Sequence, residues 1–283
     1  MTRKNLPFFK EIVKRYWKSH LRDDMVFLTA TSSGESQKSD RPKPHFHEGF
    51  TMSVLEDGFL PLSFNGHIVD LHPGEILIIG RNIPHMVDPR NLIDPCSYRT
   101  VTIDEKFLSN SVFSKIQKAE NAVSRICDKN LWEKFVNQQK EIESGATGGL
   151  DSMKTLSEKV FYEISKNILF HTDVESPYIQ SAMKYIQENY MTLPSVEELA
   201  RIVNLSPFYF MKLFKQELGV SPHAYINQLR INRAKDLMQK GESLLGIAYE
   251  LGFTDQSHFS KTFLKTTGVS PIRFNTSLTS EKQ

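Results

Sequence analysis

A chain of 283 residues with 39% hydrophobic and 24% charged residues is long for one domain, comfortable for two, and able to bury a core of ordinary size. No run approaches the ~18 apolar residues of a membrane helix, and the basic start MTRKNLPFFKEIVKRYWK lacks the apolar core of a secretory signal. A net charge of +2 excludes a strongly polyanionic or polycationic chain, and Cys96 and Cys127 make neither a disulfide framework nor a metal-ligand pair, so a reducing, cytoplasmic setting is expected.

From about Met25 to Ile103 the chain is written in short segments of β-formers separated by turn residues. MVFLTATS, GFTMSVLEDG, FLPLSFNGHIVDL, GEILIIG and SYRTVTID predict strands, and their regular spacing predicts a barrel or sandwich. The polar, proline-flanked stretch Ser32 to Pro44 predicts a loop.

Within this region PHFHEG sets His45 and His47 two residues apart, hence on one face of a strand, and GEILIIGRNIPHMV supplies His85 about forty residues on. Three readings stand side by side. The histidines form a three-nitrogen metal site, line a metal-free ligand pocket, or are purely structural. HFH, Gly58, HPGEILII and the PH at 84–85 resemble the small β-barrel called a cupin. A metal-binding cupin carries a glutamate a few residues after the second histidine, where this chain has Thr51 and Met52, and Glu48 should face the other way. The pocket wall is therefore the reading carried forward, with no metal and no cofactor expected. A barrel of this size holds one small molecule.

After Asp104 the spacing becomes helical. KIQKAENAVSRICDKNLWEKFVNQQKEIESG predicts one helix or two, ended by Gly145. LDSMKTLSEKVFYEISKNILFH follows, with Met153, Leu156, Val160, Ile164 and Ile168 at three- and four-residue steps. Leu131, Trp132, Phe135 and Val136 make an apolar face that either packs on the barrel or pairs with a second copy of the chain.

From near Pro177 everything is helical in pattern, with Ile179, Met183 and Ile186 on one face and a capping box at Ser195 and Glu198. This region repeats itself: LFKQELGVSP and TFLKTTGVSP align on Gly219 and Gly268 at an offset of 49 residues. In each copy a short helix and tight turn lead into a second helix. Leu199, Ala200, Val203 and Leu205 pack inward in the first, and Ile247, Ala248, Leu251 and Phe253 in the second. Ser206 and Asp255 cap the second helices, and Phe210, Leu213, Phe214 and Phe259, Phe263 anchor them. That leaves Phe208, Met211, Lys212 and Lys215 facing out in one copy, and Gln256, Ser257, His258 and Lys261 in the other. Between Ser206 and Asn275 nine basic residues stand against five acidic ones, a local excess that suits a phosphate-facing surface. Short helix, tight turn and exposed helix is the helix-turn-helix arrangement.

YIQENY, LARIVNLSPFYFMKLFKQELGVSPHAYINQLRINRAKDLM and IAYELGFTDQSHFSKTFLKTTGVSPIRF resemble the DNA-binding domain of AraC/XylS-type transcription regulators. The resemblance implies two helix-turn-helix units joined by a long helix, with the eight outward residues above at or near DNA. This chain departs from many relatives in offering Phe208 and Met211 where polar side chains are common. Arg230 and Arg233 on the joining helix are open between phosphate contact and structural role, with structure favoured for Arg233.

The chain is thus expected to be an α+β multidomain protein. A cupin-like ligand-sensing barrel spans 1–110, a helical region that the resemblance implies to be a dimerisation element spans 111–173, and the double helix-turn-helix domain 174–283. Double-stranded DNA, a small-molecule effector and a second copy of the chain are the expected partners, with RNA polymerase a further candidate and no membrane. The chain is expected not to be an enzyme. The alternatives are a metal-dependent cupin enzyme fused to a DNA-binding domain, and a ligand-independent DNA-binding dimer.

Overall fold

In a computed structural model of the chain, the residues described are 11–17, 25–33, 44–88, 96–104, 108–109, 112, 116–144, 149–164, 166–267 and 270–279. Most of the expected Ser32–Pro44 loop lies outside them, as do Gly145 and Gly268. The chain divides into two compact units, the first comprising 1–43, 49–81 and 86–171, the second 44–48, 82–85 and 172–283. No described helix is long and apolar enough to cross a membrane.

Unit 1 contains β1 (Glu11–Trp17), β2 (Met25–Ser33), β3 (Phe50–Asp57), β4 (Leu60–Phe64), β5 (His67–Leu71), β6 (Ile76–Ile79), β7 (Met86–Val87), β8 (Ser97–Ile103), β9 (Ala122–Ile126) and β10 (Ile168–His171). Of the expected barrel or sandwich, the antiparallel sheets are present, and closure into a barrel is not shown among the described residues. The described strands form two separate antiparallel sheets, one of seven strands in the order β1-β2-β8-β3-β6-β9-β10 and one of three in the order β5-β4-β7. Local turn chemistry helps to separate them. Phe64 pairs with His67 across a two-residue turn whose central residues, Asn65 and Gly66, both have positive φ. That turn closes β4 on β5 directly.

Two further expectations fail in the middle of the chain. The predicted helix across KIQKAENAVSRICDKN is interrupted by β9, and the predicted helix through NILFH gives way to β10, which pairs with β9. The helix that follows, α1 (Lys129–Glu143), starts where it does because the Asp128 carboxylate accepts from the Leu131 N–H at 3.0 Å. Helix α2 (Gly149–Ile164) completes the unit.

Alternation along the strands sets the core. Phe50, Met52, Val54, Ile76, Ile78, Val101 and Ile103 form one face and pack against Phe135, Val136, Ile142, Met153, Val160 and Phe161 of α1 and α2. The Leu131–Val136 face therefore covers its own sheet, with the Trp132 indole N–H donating to the Leu55 carbonyl at 3.2 Å. Arg99, buried on β8, ties α1 down by donating to Glu56 at 2.6 Å and Glu143 at 2.7 Å. Burial alone would raise the Glu56 pKa, but Lys140 and Arg99 together hold it below the ordinary carboxylate value. The opposite sheet face mixes buried Leu77 and Ile79 with hydroxyl pairs, Thr51–Thr102 at 3.2 Å and Ser53–Thr100 at 3.1 Å.

Unit 2 is α3 (Pro177–Asn189), α4 (Val196–Ile202), α5 (Pro207–Leu218), α6 (Pro222–Gln239), α7 (Leu244–Glu250), α8 (Gln256–Thr267) and α9 (Pro271–Thr279), joined by the two short segments 44–48 and 82–85. The repeat holds down to its ring contacts. Phe210 meets Phe214 at 5.6 Å and Phe214 meets Tyr225 at 5.7 Å; Phe259 meets Phe263 at 5.7 Å and Phe263 meets Phe274 at 5.4 Å. The recurring Ser-Pro phrase is a helix start, since Ser221 and Ser270 accept from the N–H groups of Ala224 and Arg273. Half of the capping box at Ser195 forms, with the Glu198 N–H donating to the serine oxygen, while the Glu198 carboxylate accepts from the Tyr185 hydroxyl.

The offset is not constant. It is 48 residues through the leading helices, from Ala200 to Ala248, and 49 from Phe210 to Phe259, so the second turn is one residue longer. Both turns use a left-handed residue at the same place, Asn204 at φ 56 and Gly252 at φ 67. A Cβ on Gly252 would meet the Met191 carbonyl oxygen at 2.8 Å. Gly252→Ala is therefore expected to destabilise unit 2 by ~2 kcal/mol or more, from left-handed strain plus displaced backbone, as read by urea unfolding. Asn204→Gly, with no such contact to gain, should change stability by less than ~1 kcal/mol.

Candidate nucleic-acid interface

Each helix-turn-helix unit buries one face of its second helix and leaves the other outside. In α5, Phe210, Phe214 and Leu218 are buried, and the Ser206 side chain accepts from the Tyr209 N–H at 3.3 Å. In α8, Phe259, Phe263 and Thr267 are buried, and the Asp255 carboxylate accepts from the His258 N–H at 2.7 Å. The caps fix where each helix begins, and so which side chains occupy its first exposed turn.

The outward set contains every residue expected there. Phe208 is 75% exposed, Met211 44% exposed, and Lys212, Lys215, Gln256, Ser257, His258 and Lys261 are all exposed. Tyr209 belongs with them at 50% exposure. Sequence reading passed it over, although it lies outside the set Phe210, Leu213 and Phe214 that defines the buried face. The His258 ring is held from two sides, by Phe253 at 5.5 Å and by Thr254, whose hydroxyl lies 3.4 Å from Nδ1. Gln256, Ser257 and Lys261 thus form the polar outer row of α8, whereas α5 presents aromatic and thioether groups followed by lysines.

The arginines of the joining helix separate. Arg230 is 1% exposed, its Nε–H donates to the Leu251 carbonyl, and its guanidinium lies 3.8 Å from the Phe253 ring centre. Burial lowers its pKa to about 10, which leaves it cationic at neutral pH. It braces the second turn from inside. Arg233 lies 3.9 Å from Glu250 in a half-exposed ion pair.

The three histidines fall in unit 2. His45 and His85 face each other in an isolated antiparallel bridge, exchanging backbone hydrogen bonds of 2.9 and 2.8 Å, and the Asn82 N–H donates to the His47 carbonyl. The rings lie 4.6 Å (His45–His85), 5.2 Å (His45–His47) and 5.4 Å (His47–His85) apart. Phe46, between two of them, points the opposite way and is buried with Ile179, Leu199, Phe210 and Phe214, 4.8 Å from Tyr225. Burial pushes the Tyr225 phenol up to about 12. Between the unfolded value near 10 and that value, the folded state keeps a proton the unfolded chain has lost, so stability falls as pH rises. Tyr225→Phe should remove ~2–3 kcal/mol of alkaline destabilisation between those pH values, checked by comparing unfolding curves of the two proteins.

Residues 199–277 match the family model described as "Helix-turn-helix domain". The lactose operon transcription activator of Staphylococcus xylosus is 26% identical over 222 residues, covering 76% of this chain and 79% of that one. The Msm operon regulatory protein of Streptococcus mutans is 26% identical over 254 residues, covering 84% and 89%. Among solved structures, unsaturated fatty acid bound ToxT from Vibrio cholerae aligns over 100% of both chains with a TM-score of 0.56 at 17% identity, which speaks for the fold.

Proposed function

The chain is an AraC/XylS-type transcription regulator, and from that premise we propose that α5 and α8 are its two DNA-reading helices, set into adjacent major grooves of one duplex under the control of a small molecule. The observation that carries this reading is the repeated construction of the two units. Each has a capped helix, a buried phenylalanine pair and an exposed outer row, and one uninterrupted helix of 18 residues joins them. That helix is ~27 Å long at ~1.5 Å per residue, the right order for readers about one DNA turn (~34 Å) apart.

The outer rows then take different roles. Phe208 and Met211, with Tyr209, offer apolar contact to thymine methyl groups, while Gln256, Ser257 and His258 offer hydrogen bonds to base edges. Lys212, Lys215 and Lys261 meet phosphates or guanine edges. Unit 1 serves as the sensor. Its sheet carries two hydroxyl pairs beside buried Leu77 and Ile79, a polar and apolar mixture that small-molecule sites use. ToxT, similar in fold, holds an unsaturated fatty acid. Effector binding shifts the population of arrangements in which both readers engage DNA, and a homodimer in contact with RNA polymerase completes the reading. Relatives named as transcription regulators weigh against the enzyme alternative.

The test is affinity selection from random duplexes with the full chain, followed by anisotropy titration of the selected site. Specific binding tighter than that to scrambled DNA by a factor of about 10³ or more is expected. Equal affinity for selected and scrambled duplexes would overturn the reading.

A further inference from the structure

We propose that His45, His47 and His85 form a binding site for one divalent transition-metal ion of the zinc type, built on the small ladder that seats Phe46 in unit 2. The ligand atoms of the three histidines all lie within 4.8 Å of one another. A tetrahedral zinc with bonds of ~2.0–2.1 Å sets its nitrogens ~3.4 Å apart. Small ring rotations close the difference, and the backbone is already in place. His45 and His85 are locked opposite each other by their paired backbone hydrogen bonds, and His47 follows two residues later on the same face.

The second observation concerns the tautomer. His85 is buried, and its Nδ1 lies 2.9 Å from the Ile83 carbonyl oxygen. A carbonyl only accepts, so in this contact Nδ1 carries the hydrogen and the ring is held in one orientation. Proteins use this arrangement to orient metal-ligating histidines. A cluster of three imidazoles with no carboxylate among them selects a borderline ion such as zinc or cobalt over magnesium or calcium, and leaves a fourth position for water.

The site also has a mechanical consequence. The ion joins the 44–48 segment to the 82–85 segment, and the residue between two of its ligands is Phe46, buried with Phe210 and Phe214 of the first helix-turn-helix unit. Metal binding is therefore coupled to how firmly that segment is held in the DNA-binding unit.

The test uses the full chain, stripped with chelator and titrated with Co²⁺. One equivalent should bind with visible d–d bands of tetrahedral type and be displaced by Zn²⁺, and Zn²⁺ should raise the thermal midpoint. His47→Ala, half-exposed and the mildest change to the fold, should weaken Co²⁺ binding by about 100-fold or more, since changes to the groups that merely orient metal ligands already cost 10–100-fold. His85→Ala should do the same and abolish the thermal shift. The proposal is overturned if the wild type shows no stoichiometric binding, or if His47→Ala and His85→Ala bind Co²⁺ as tightly as the wild type through other histidines. Because the readouts do not involve DNA, failure here leaves the DNA-reading proposal standing, and the converse holds.

Discussion

Replacing Lys212 and Lys261 together with alanine is expected to weaken DNA binding about 10²- to 10⁴-fold while the protein keeps its fold. Both side chains are exposed on the outer rows of α5 and α8, clear of the buried phenylalanines that hold those helices. Their removal should therefore change stability by less than ~0.5 kcal/mol. Each lysine that meets a base edge or phosphate contributes ~1–3 kcal/mol, so each single change should weaken binding about 10- to 100-fold and the pair about 10²- to 10⁴-fold. If the contacts are to phosphates, the slope of log affinity against log salt should fall by ~2 in the double variant, and discrimination between sequences should survive. Anisotropy titrations at several salt concentrations, beside circular dichroism, read both quantities. An unaltered titration would place the DNA surface elsewhere.

Arg230→Ala has the opposite signature, in which stability falls first. The guanidinium fills the interior beneath the second turn, stacked on Phe253 and donating to the Leu251 carbonyl. Truncation leaves that carbonyl without its donor at ~1–3 kcal/mol, forfeits a desolvated cation–π contact of up to ~2 kcal/mol, and opens a cavity. A loss of about 3–5 kcal/mol in unit 2 is expected by urea unfolding. Arg230→Lys should recover little, because an ammonium cannot both lie flat on the ring and reach the carbonyl with a planar N–H. Were Arg230 a phosphate contact, stability would be untouched and the salt slope would fall by ~1.

What could be read from the sequence was mostly what is encoded locally. Ser206 and Asp255 announce helix starts through side-chain chemistry within three residues, and the structure uses both so; the two Ser-Pro phrases, read in the sequence only as a repeat, do the same. The phenylalanine pairs announce buried faces by spacing alone. The Asn65-Gly66 turn is equally local, but the partners of its hairpin are not: β4 and β5 join β7 in a three-stranded sheet separate from the seven-stranded one. β9 and β10 were missed because AVSRI and ILFH are short and flanked by helical spacing, and become strands only by pairing with each other and with β6. Arg230 looked like its neighbour Arg233 in sequence. Only contacts from residues about twenty positions later, Leu251 and Phe253, make it an interior brace. The histidines show the same limit. Their alternation was legible, but their grouping with residues 172–283 depends on where Phe46 is buried.

The most direct test of two readers on one duplex is hydroxyl-radical footprinting of the selected site with the wild type, Lys212→Ala and Lys261→Ala. Two protected segments centred about 10–10.5 base pairs apart are predicted, with Lys212→Ala weakening protection of one and Lys261→Ala of the other. A single protected segment, or both substitutions weakening the same one, would contradict it.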